Sequence, residues 1–211
     1  MTKLELKEMV LSQLKMRGIC DKVCDAFLEV DRKNFVREDD IPYAYDDMPL
    51  PIGYGQTISQ PYMVAIMLEK LVVKENDTVL EIGSGSGYVC ALLSKFTRSV
   101  YGVERIKELA LFSKNNLKKA KIKDVRLIVA DGTDLSFLKV KFDRIIVSAG
   151  APRVPSNYFK KLKEGGRLVI PVSSFLGQTL MVYEKKGGKI IEHNYGGCRF
   201  VPLIGKFGYK E

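Results

Sequence analysis

Histidine and paired cysteines are what this chain has least of. Its 211 residues include one histidine, His193, placed far along the sequence. The four cysteines, Cys20, Cys24, Cys90 and Cys198, form no Cys-x-x-Cys pair. Cys20 and Cys24 can face one another on a helix, but a metal would need further ligands close by, and the sequence offers none. Reduced, structural thiols and no metal site are therefore expected. Long apolar runs are also missing. None approaches a membrane span, and the first residues, Met1-Thr2-Lys3-Leu4-Glu5, lack a secretory apolar segment. No membrane partner and residence in the cytoplasm follow as expectations.

What is present is ordinary for a globular protein: 46% apolar and 28% charged residues. A chain of this length is expected to form one domain with a substantial core. The formal net charge is +9, from 34 Lys and Arg against 25 Asp and Glu. Such a balance fits nucleic acid, an acidic substrate or a solvated lysine-rich surface. The lysines are scattered, from Lys114, Lys118 and Lys121 to Lys160, Lys163, Lys185 and Lys189, mostly on expected helix faces or turns. That dispersal favours the solvated surface over a nucleic-acid patch.

One stretch organises the rest, Val79-Leu80-Glu81-Ile82-Gly83-Ser84-Gly85-Ser86-Gly87-Tyr88. Thr78 to Ile82 reads as a short apolar strand, and a helix is expected from Tyr88. The alternate glycines between them suit a sharp strand-to-helix bend that lets a ligand approach the backbone. The helix start adds unpaired N–H groups. A second apolar run, Ser99 to Val103, ends at Glu104, whose carboxylate can accept both hydroxyl hydrogen bonds of a ribose at a strand end bordering the ligand crevice. A dinucleotide fingerprint, Gly-x-Gly-x-x-Gly, is excluded because its third glycine would fall on Tyr88. The pattern Glu-x-Gly-x-Gly-x-Gly instead resembles the first motif of S-adenosylmethionine-dependent methyltransferases. That resemblance implies that Gly83, Ser84, Gly85 and Gly87 line the methionyl portion of the cofactor, that Glu104 holds its ribose, and that Arg105 is a further cofactor-binding residue.

Elsewhere the chain alternates. Leu4 to Met16 reads as an amphipathic helix with Leu4, Leu11 and Leu14 inward, ended by Gly18. Asp21 is placed to cap a second helix that turns Val23, Phe27 and Leu28 inward. Phe35 and Val36 read as core, and the acidic stretch Glu38 to Pro51 as connection. Tyr43 to Pro61 mixes prolines and glycines with apolar residues, which suggests an ordered loop. Pro61 should open a helix buried through Val64, Met67, Leu68 and Leu71. Ser59 is then either a plain N-cap or, with Thr57, a seat for a carboxylate at that helix start. Ile106 to Ala120 should be a helix. Strands are expected at Val125–Val129, Phe142–Val147 and Arg167–Val172, the last reached through a turn at Gly165-Gly166. Beyond the first of these, Asp131-Gly132 can accept from an adenine amino group. Thr179–Tyr183 and Ile190–Tyr195 read as a hairpin turned by Gly187-Gly188. The alternation implies a mainly parallel α/β sheet covered on both faces, with antiparallel pairing at its end.

Asp46-Asp47-Met48-Pro49-Leu50-Pro51-Ile52-Gly53-Tyr54-Gly55-Gln56-Thr57-Ile58-Ser59-Gln60-Pro61 resembles the signature of the protein-L-isoaspartate O-methyltransferases. Arg32-Lys33-Asn34-Phe35-Val36 is similar to their Arg-x-x-Phe-Val element, and Ser148-Ala149-Gly150-Ala151-Pro152-Arg153-Val154-Pro155 to their Ala-Ala-Pro-x-x-Pro turn. Leu162 to Val172 and Phe200 to Gly205 match later blocks, so the resemblance spans nearly the whole chain in order. It implies a seven-stranded, Rossmann-like methyltransferase fold with unusually ordered last strands and extra amino-terminal helices. One domain, 1–211, would then comprise helices and substrate loop (1–76), cofactor core (77–172) and carboxy-terminal strands (173–211).

The resemblance also implies a reaction: methyl transfer from S-adenosyl-L-methionine to the free α-carboxylate of an isoaspartyl residue, leaving S-adenosyl-L-homocysteine. A carboxyl with a pKa of about 4 needs no general base, so a lone histidine is no objection. The family's active-site serine maps onto Ser59. Gln56, Thr57, Val201 and Leu203 are the further substrate-binding candidates, with Val201-Pro202-Leu203 as a wall for the peptide. The implied partners are isoaspartyl proteins and peptides, with no nucleic acid, and a monomer is expected. Two rival readings are a nucleic-acid methyltransferase and a non-catalytic binder. Base-amino methylases of this fold carry an Asn/Asp-Pro-Pro-Tyr/Phe turn where this chain has Ser148 to Pro152. The intact Gly55 to Ser59 segment and glycine loop speak against a non-catalytic member. Gln60 and Tyr62 stand where many relatives carry Ala and His, Gly150 where alanine is common, and Ser173-Ser174 where a glycine is.

Overall fold

A computed structural model describes residues 3–175 and 177–210. Met1 and Thr2, part of the stretch read for a secretory segment, lie outside the described residues, as do Leu176 and Glu211. Helix α1 (Lys3–Met9) runs into a π-helical turn, Val10–Leu14, and a 3-10 turn, Lys15–Arg17, before Gly18 closes it at φ +88°. Its buried stripe is Leu6, Met9, Val10 and Leu14, while Leu4 and Leu11, expected inward, are 63% and 55% exposed. The i, i+3, i+4, i+8 run of apolar residues sets that face. Helix α2 (Asp21–Glu29) buries Val23, Cys24, Ala26 and Phe27 but leaves Leu28 exposed. Asp21 does not cap it. Cys20 is the N-cap and donates its N–H to Glu69, while the Asp21 carboxylate pairs with Lys15 at 2.9 Å.

Two 3-10 turns, Arg32–Phe35 and Glu38–Tyr43, lead to a small hairpin of β1 (Leu50–Gly53) and β2 (Gln56–Ile58). Helix α3 (Pro61–Leu71) follows and buries Val64, Met67, Leu68 and Leu71 as expected. The main elements are then β3 (Thr78–Ile82), α4 (Tyr88–Leu93), β4 (Ser99–Glu104), α5 (Lys107–Lys119), β5 (Val125–Val129) and β6 (Phe142–Val147). They continue with α6 (Ser156–Lys161), β7 (Leu162–Ser174), β8 (Gly177–Lys186) and β9 (Lys189–Cys198). Strand β7 begins earlier than expected: pairing with β6 starts at Leu162 and passes through Gly165-Gly166 as a register shift.

The seven-stranded sheet has the order β5-β4-β3-β6-β7-β8-β9. It is parallel from β5 to β7 and antiparallel across β8 and β9. The last strands therefore succeed one another across the sheet in chain order, completing the expected Rossmann-like α/β arrangement. Side chains alternate with the pleat. Val79, Ile146 and Val169 join the core under α3, α4, α5 and the amino-terminal helices. Leu80, Ile82, Ile145, Val147, Leu168 and Ile170 join a second core with α6 and the 3-10 turn Leu135–Phe137. From β3 the chain steps one way to β4 and β5, then returns to β6 on the other side. The carboxyl ends of β3 and β6 thus form the switch point where ligands bind in open α/β sheets. No helix among the described residues is long and apolar enough to cross a membrane.

Candidate active site

The bend after β3 occupies that switch point. Gly83, Gly85 and Gly87 have φ of +80°, +49° and +86°, a backbone region that side chains rarely enter. Gly83 and Ser84 donate their N–H groups to the Val103 carbonyl, at 2.8 and 3.1 Å, fixing the loop to the end of β4. A Cβ on Gly87 would sit 2.4 Å from Ser113 Oγ, whereas one on Gly83 would meet nothing nearer than 3.8 Å. Gly87 serves packing and Gly83 openness toward the crevice. Glu104, at the tip of β4, accepts from the Gly85 N–H at 2.9 Å and the Ile106 N–H at 3.0 Å. Its carboxylate is thus held at the crevice edge with lone pairs remaining for a ligand's hydroxyls.

Around the bend lies a cleft of about 570 Å³ lined by Gly83, Gly85, Glu104, Arg105, Gly132 and Leu203, among others. The expected adenine pair is separated here. Gly132 lines the cleft, but Asp131 does not. The Asp131 carboxylate accepts from Thr133 N and Oγ1, at 2.8 and 2.7 Å, and from Lys206 N at 2.8 Å. Burial pushes that carboxyl up, but the hydrogen bonds from Lys206 and Thr133 outweigh it and hold it below the usual range. It fastens the carboxy-terminal tail, whose partners lie too far along the chain to be foreseen.

A second pocket, about 280 Å³, contains Ser59 together with Gly83, Ser84 and Gly85. A groove of about 1700 Å³ opens from Ser59 toward Gln178, Cys198, Arg199 and Val201. Thr57 and Ser148 border all three spaces. Gln56 faces the cleft rather than the groove, its amide donating to the Tyr54 carbonyl at 3.1 Å, and Leu203 likewise lines only the cleft. Val201 borders both cleft and groove.

Two buried groups, noted in the sequence only as parts of motifs, hold this arrangement. The Arg32 guanidinium, fully buried, donates to the carbonyls of Ala44 (2.7 Å), Met48 (3.1 Å) and Ser59 (3.0 Å), drawing the loop before α3 inward. Ser148 donates its hydroxyl to Glu81 at 2.8 Å. Burial pushes the Glu81 carboxyl up to about 7, although hydrogen bonds from Cys90 and Ser148 restrain the rise. The wall at Val201 is built from backbone: Gly150 N–H donates to the Val201 carbonyl and Leu203 N–H to the Gly150 carbonyl, each at 2.8 Å. Gln178 grips the preceding Phe200 through its carbonyl (3.0 Å) and N–H (2.7 Å).

Comparison with known proteins decides what this architecture belongs to. Residues 5–208 match the family model described as protein-L-isoaspartate(D-aspartate) O-methyltransferase. The chain belongs to that family. It is 51% identical to a protein-L-isoaspartate O-methyltransferase of Petrotoga mobilis, over 97% of this chain and 98% of the relative. Its identity to the Pyrococcus abyssi enzyme is 49%, over 90% and 89% of the two chains. In three dimensions it resembles a candidate protein-L-isoaspartate O-methyltransferase of Plasmodium falciparum, crystallised with S-adenosyl-L-homocysteine. The TM-score is 0.85 and the identity 32%, covering 94% of this chain and 98% of the other. In this member of the isoaspartate methyltransferase family, the serine singled out by resemblance, Ser59, shares one pocket with the glycine bend. The two positions that depart from the family pattern beside it, Gln60 and Tyr62, both bond to Asp47.

Proposed function

We infer that the protein transfers the methyl group of S-adenosyl-L-methionine to the free α-carboxylate of L-isoaspartyl residues in damaged proteins, with S-adenosyl-L-homocysteine as co-product. The observation that carries the reading is the meeting of three spaces at Thr57 and Ser148, with Ser59 beside the glycine bend. The residues fit the cofactor: an open Gly83, a fixed carboxylate at Glu104, the Gly132 backbone and the exposed Arg105 surround the cleft. When bound, the cofactor supplies a sulfonium-activated methyl group.

The chain's own task is placement. A substrate carboxylate is ionised at neutral pH, so no residue must remove a proton from it. Ser59 and Thr57 offer hydroxyls to one carboxylate oxygen and orient the other toward the cleft. Val201 and Pro202 give the peptide a wall, and Gln178 keeps that wall in place. Positioning of this kind can contribute roughly 7–11 kcal/mol to a two-reactant step. The neighbouring backbone nitrogen then displaces methanol from the methyl ester to close a succinimide, and its hydrolysis by water regenerates part of it as normal aspartate.

The reading extends to a monomer of one domain, acting in the cytoplasm without a nucleic-acid partner. Supporting one domain, one of the two cores joins Leu6 and Phe27 of the first region, Val79 and Val100 of the second and Val182 of the third. Against nucleic-acid bases, the turn after β6 is Ser148-Ala149-Gly150-Ala151-Pro152, without the amide or carboxylate that a base amino group requires. The test is methyl transfer from labelled cofactor to an isoaspartyl peptide, its aspartyl twin and an RNA. Only the isoaspartyl peptide should be labelled. Equal labelling of both peptides, or labelling of the RNA alone, overturns the assignment.

A further inference from the structure

One carboxylate ties together the corner that carries Ser59. Asp47 Oδ1 accepts from the Tyr62 N–H at 3.0 Å, and Oδ2 from the Gln60 side-chain amide at 2.9 Å. Helix α3 has no cap from the side chain of its own N-cap residue, Gln60, so Asp47 supplies one from the preceding loop. The same Oδ2 accepts from Arg17 Nη1 at 2.6 Å, and the Arg17 guanidinium stacks 3.2 Å from the centre of the Tyr62 ring. With Arg32 holding the Ser59 carbonyl, residues 59, 60 and 62 are pinned from two sides.

This arrangement carries an electrostatic difficulty. The reaction brings a substrate carboxylate to Ser59, and Asp47 is a second carboxylate bonded to the very next residue. Like charges so placed repel. Arg17 pairs with that charge at 2.6 Å and does not line the groove. We propose that Asp47 and Arg17 act as paired positioning residues for the methyl acceptor: Asp47 sets the Ser59-Gln60-Pro61 corner, and Arg17 removes the repulsion that Asp47 would otherwise exert on the incoming carboxylate. The proposal rests on the assignment of Ser59 to the acceptor seat.

The test compares wild type, Arg17→Ala, Asp47→Asn, Asp47→Ala and the double variant Arg17→Ala/Asp47→Asn. Each is assayed with an isoaspartyl peptide at low and high ionic strength, beside cofactor affinity and melting temperature. Arg17→Ala should raise the peptide KM roughly fivefold at low salt and less at high salt, because screening weakens the bare charge. Cofactor affinity should stay at the wild-type value. The double variant should recover most of the loss, since the amide retains an acceptor for the Tyr62 N–H but carries no charge. Asp47→Ala, which removes the acceptor too, should lower kcat where Asp47→Asn does not. An unchanged peptide KM for Arg17→Ala at low salt overturns the proposal. So does a double variant no better than Arg17→Ala, or a loss that falls equally on cofactor affinity. If Asp47→Ala fails to fold, the single Arg17 and double variants still decide. A wild type that ignores the isoaspartyl peptide would instead defeat the functional reading, which the wild-type arm reports separately.

Discussion

The Ser148 hydroxyl donates a hydrogen bond to Glu81 across 2.8 Å, at a carboxyl group only 1% exposed. The pair joins the end of β6 to β3 beneath the place where the three spaces meet. Because burial raises the Glu81 carboxyl to about 7, the folded chain holds a proton that the unfolded chain releases above its ordinary value of 4.5. Stability contributed by that proton is full below the unfolded value and is lost as pH rises through about 7, with a total of ~3 kcal/mol. Glu81→Gln keeps an acceptor for Ser148 and removes the titration. Melting curves of the ligand-free variant should be flatter than wild type between about pH 5 and pH 8, and higher at the upper end. Parallel curves would contradict the account.

Arg32 answers three backbone carbonyls from a fully buried position, and burial lowers its own pKa to about 10, still charged at neutral pH. Arg32→Met leaves those carbonyls without their donor, the one at Ala44 out of water. Urea unfolding should show a loss of about 1–3 kcal/mol. Arg32→Lys, which keeps the charge but not the fork of donors, should fall between.

Gly87 combines a left-handed backbone with contact against Ser113. Gly87→Ala should cost about 2 kcal/mol or more in the same assay. Adding Ser113→Gly should restore only part of this, because it relieves the contact and leaves the backbone strain. Full restoration would mean that the φ angle was not the cause.

Gln178→Ala removes both hydrogen bonds that hold Phe200 and frees the wall at Val201. Steady-state kinetics should show the peptide KM rising roughly fivefold, in line with about 1 kcal/mol of lost hydrogen bonding, while cofactor affinity is kept. A change confined to cofactor affinity would place the wall on the wrong ligand.

The elements legible in the sequence are those that local pattern determines. Strands β3 and β5 begin and end at the residues that apolar periodicity assigned, and Pro61 opens α3 because nothing else in that loop can. Helix α1 misled because the inward stripe is the i, i+3, i+4, i+8 run Leu6, Met9, Val10 and Leu14, and Leu4 and Leu11 lie off it. The site was legible as far as motifs run. Gly83, Glu104 and Ser59 meet around joined spaces. What escaped depends on contacts between distant residues: Asp131 turned to the backbone of Lys206, 75 positions away, and Ser148 joined to Glu81, 67 away. Period and spacing carry no record of such pairs. Asp47 lay within the quoted signature, yet its tie to Arg17 appears only once the 3-10 turn Lys15–Arg17 and the loop are folded together.

The central claim is that the Ser59 hydroxyl seats the methyl acceptor without holding the cofactor. Its most direct test is Ser59→Ala measured twice: by the rate of methyl transfer to an isoaspartyl peptide at saturating cofactor, and by calorimetric titration with S-adenosyl-L-methionine. The rate should fall roughly hundredfold, as when a positioned donor is removed from a reacting oxygen, with cofactor affinity at the wild-type value. A wild-type rate, or a loss of affinity that accounts for the whole fall, would contradict it.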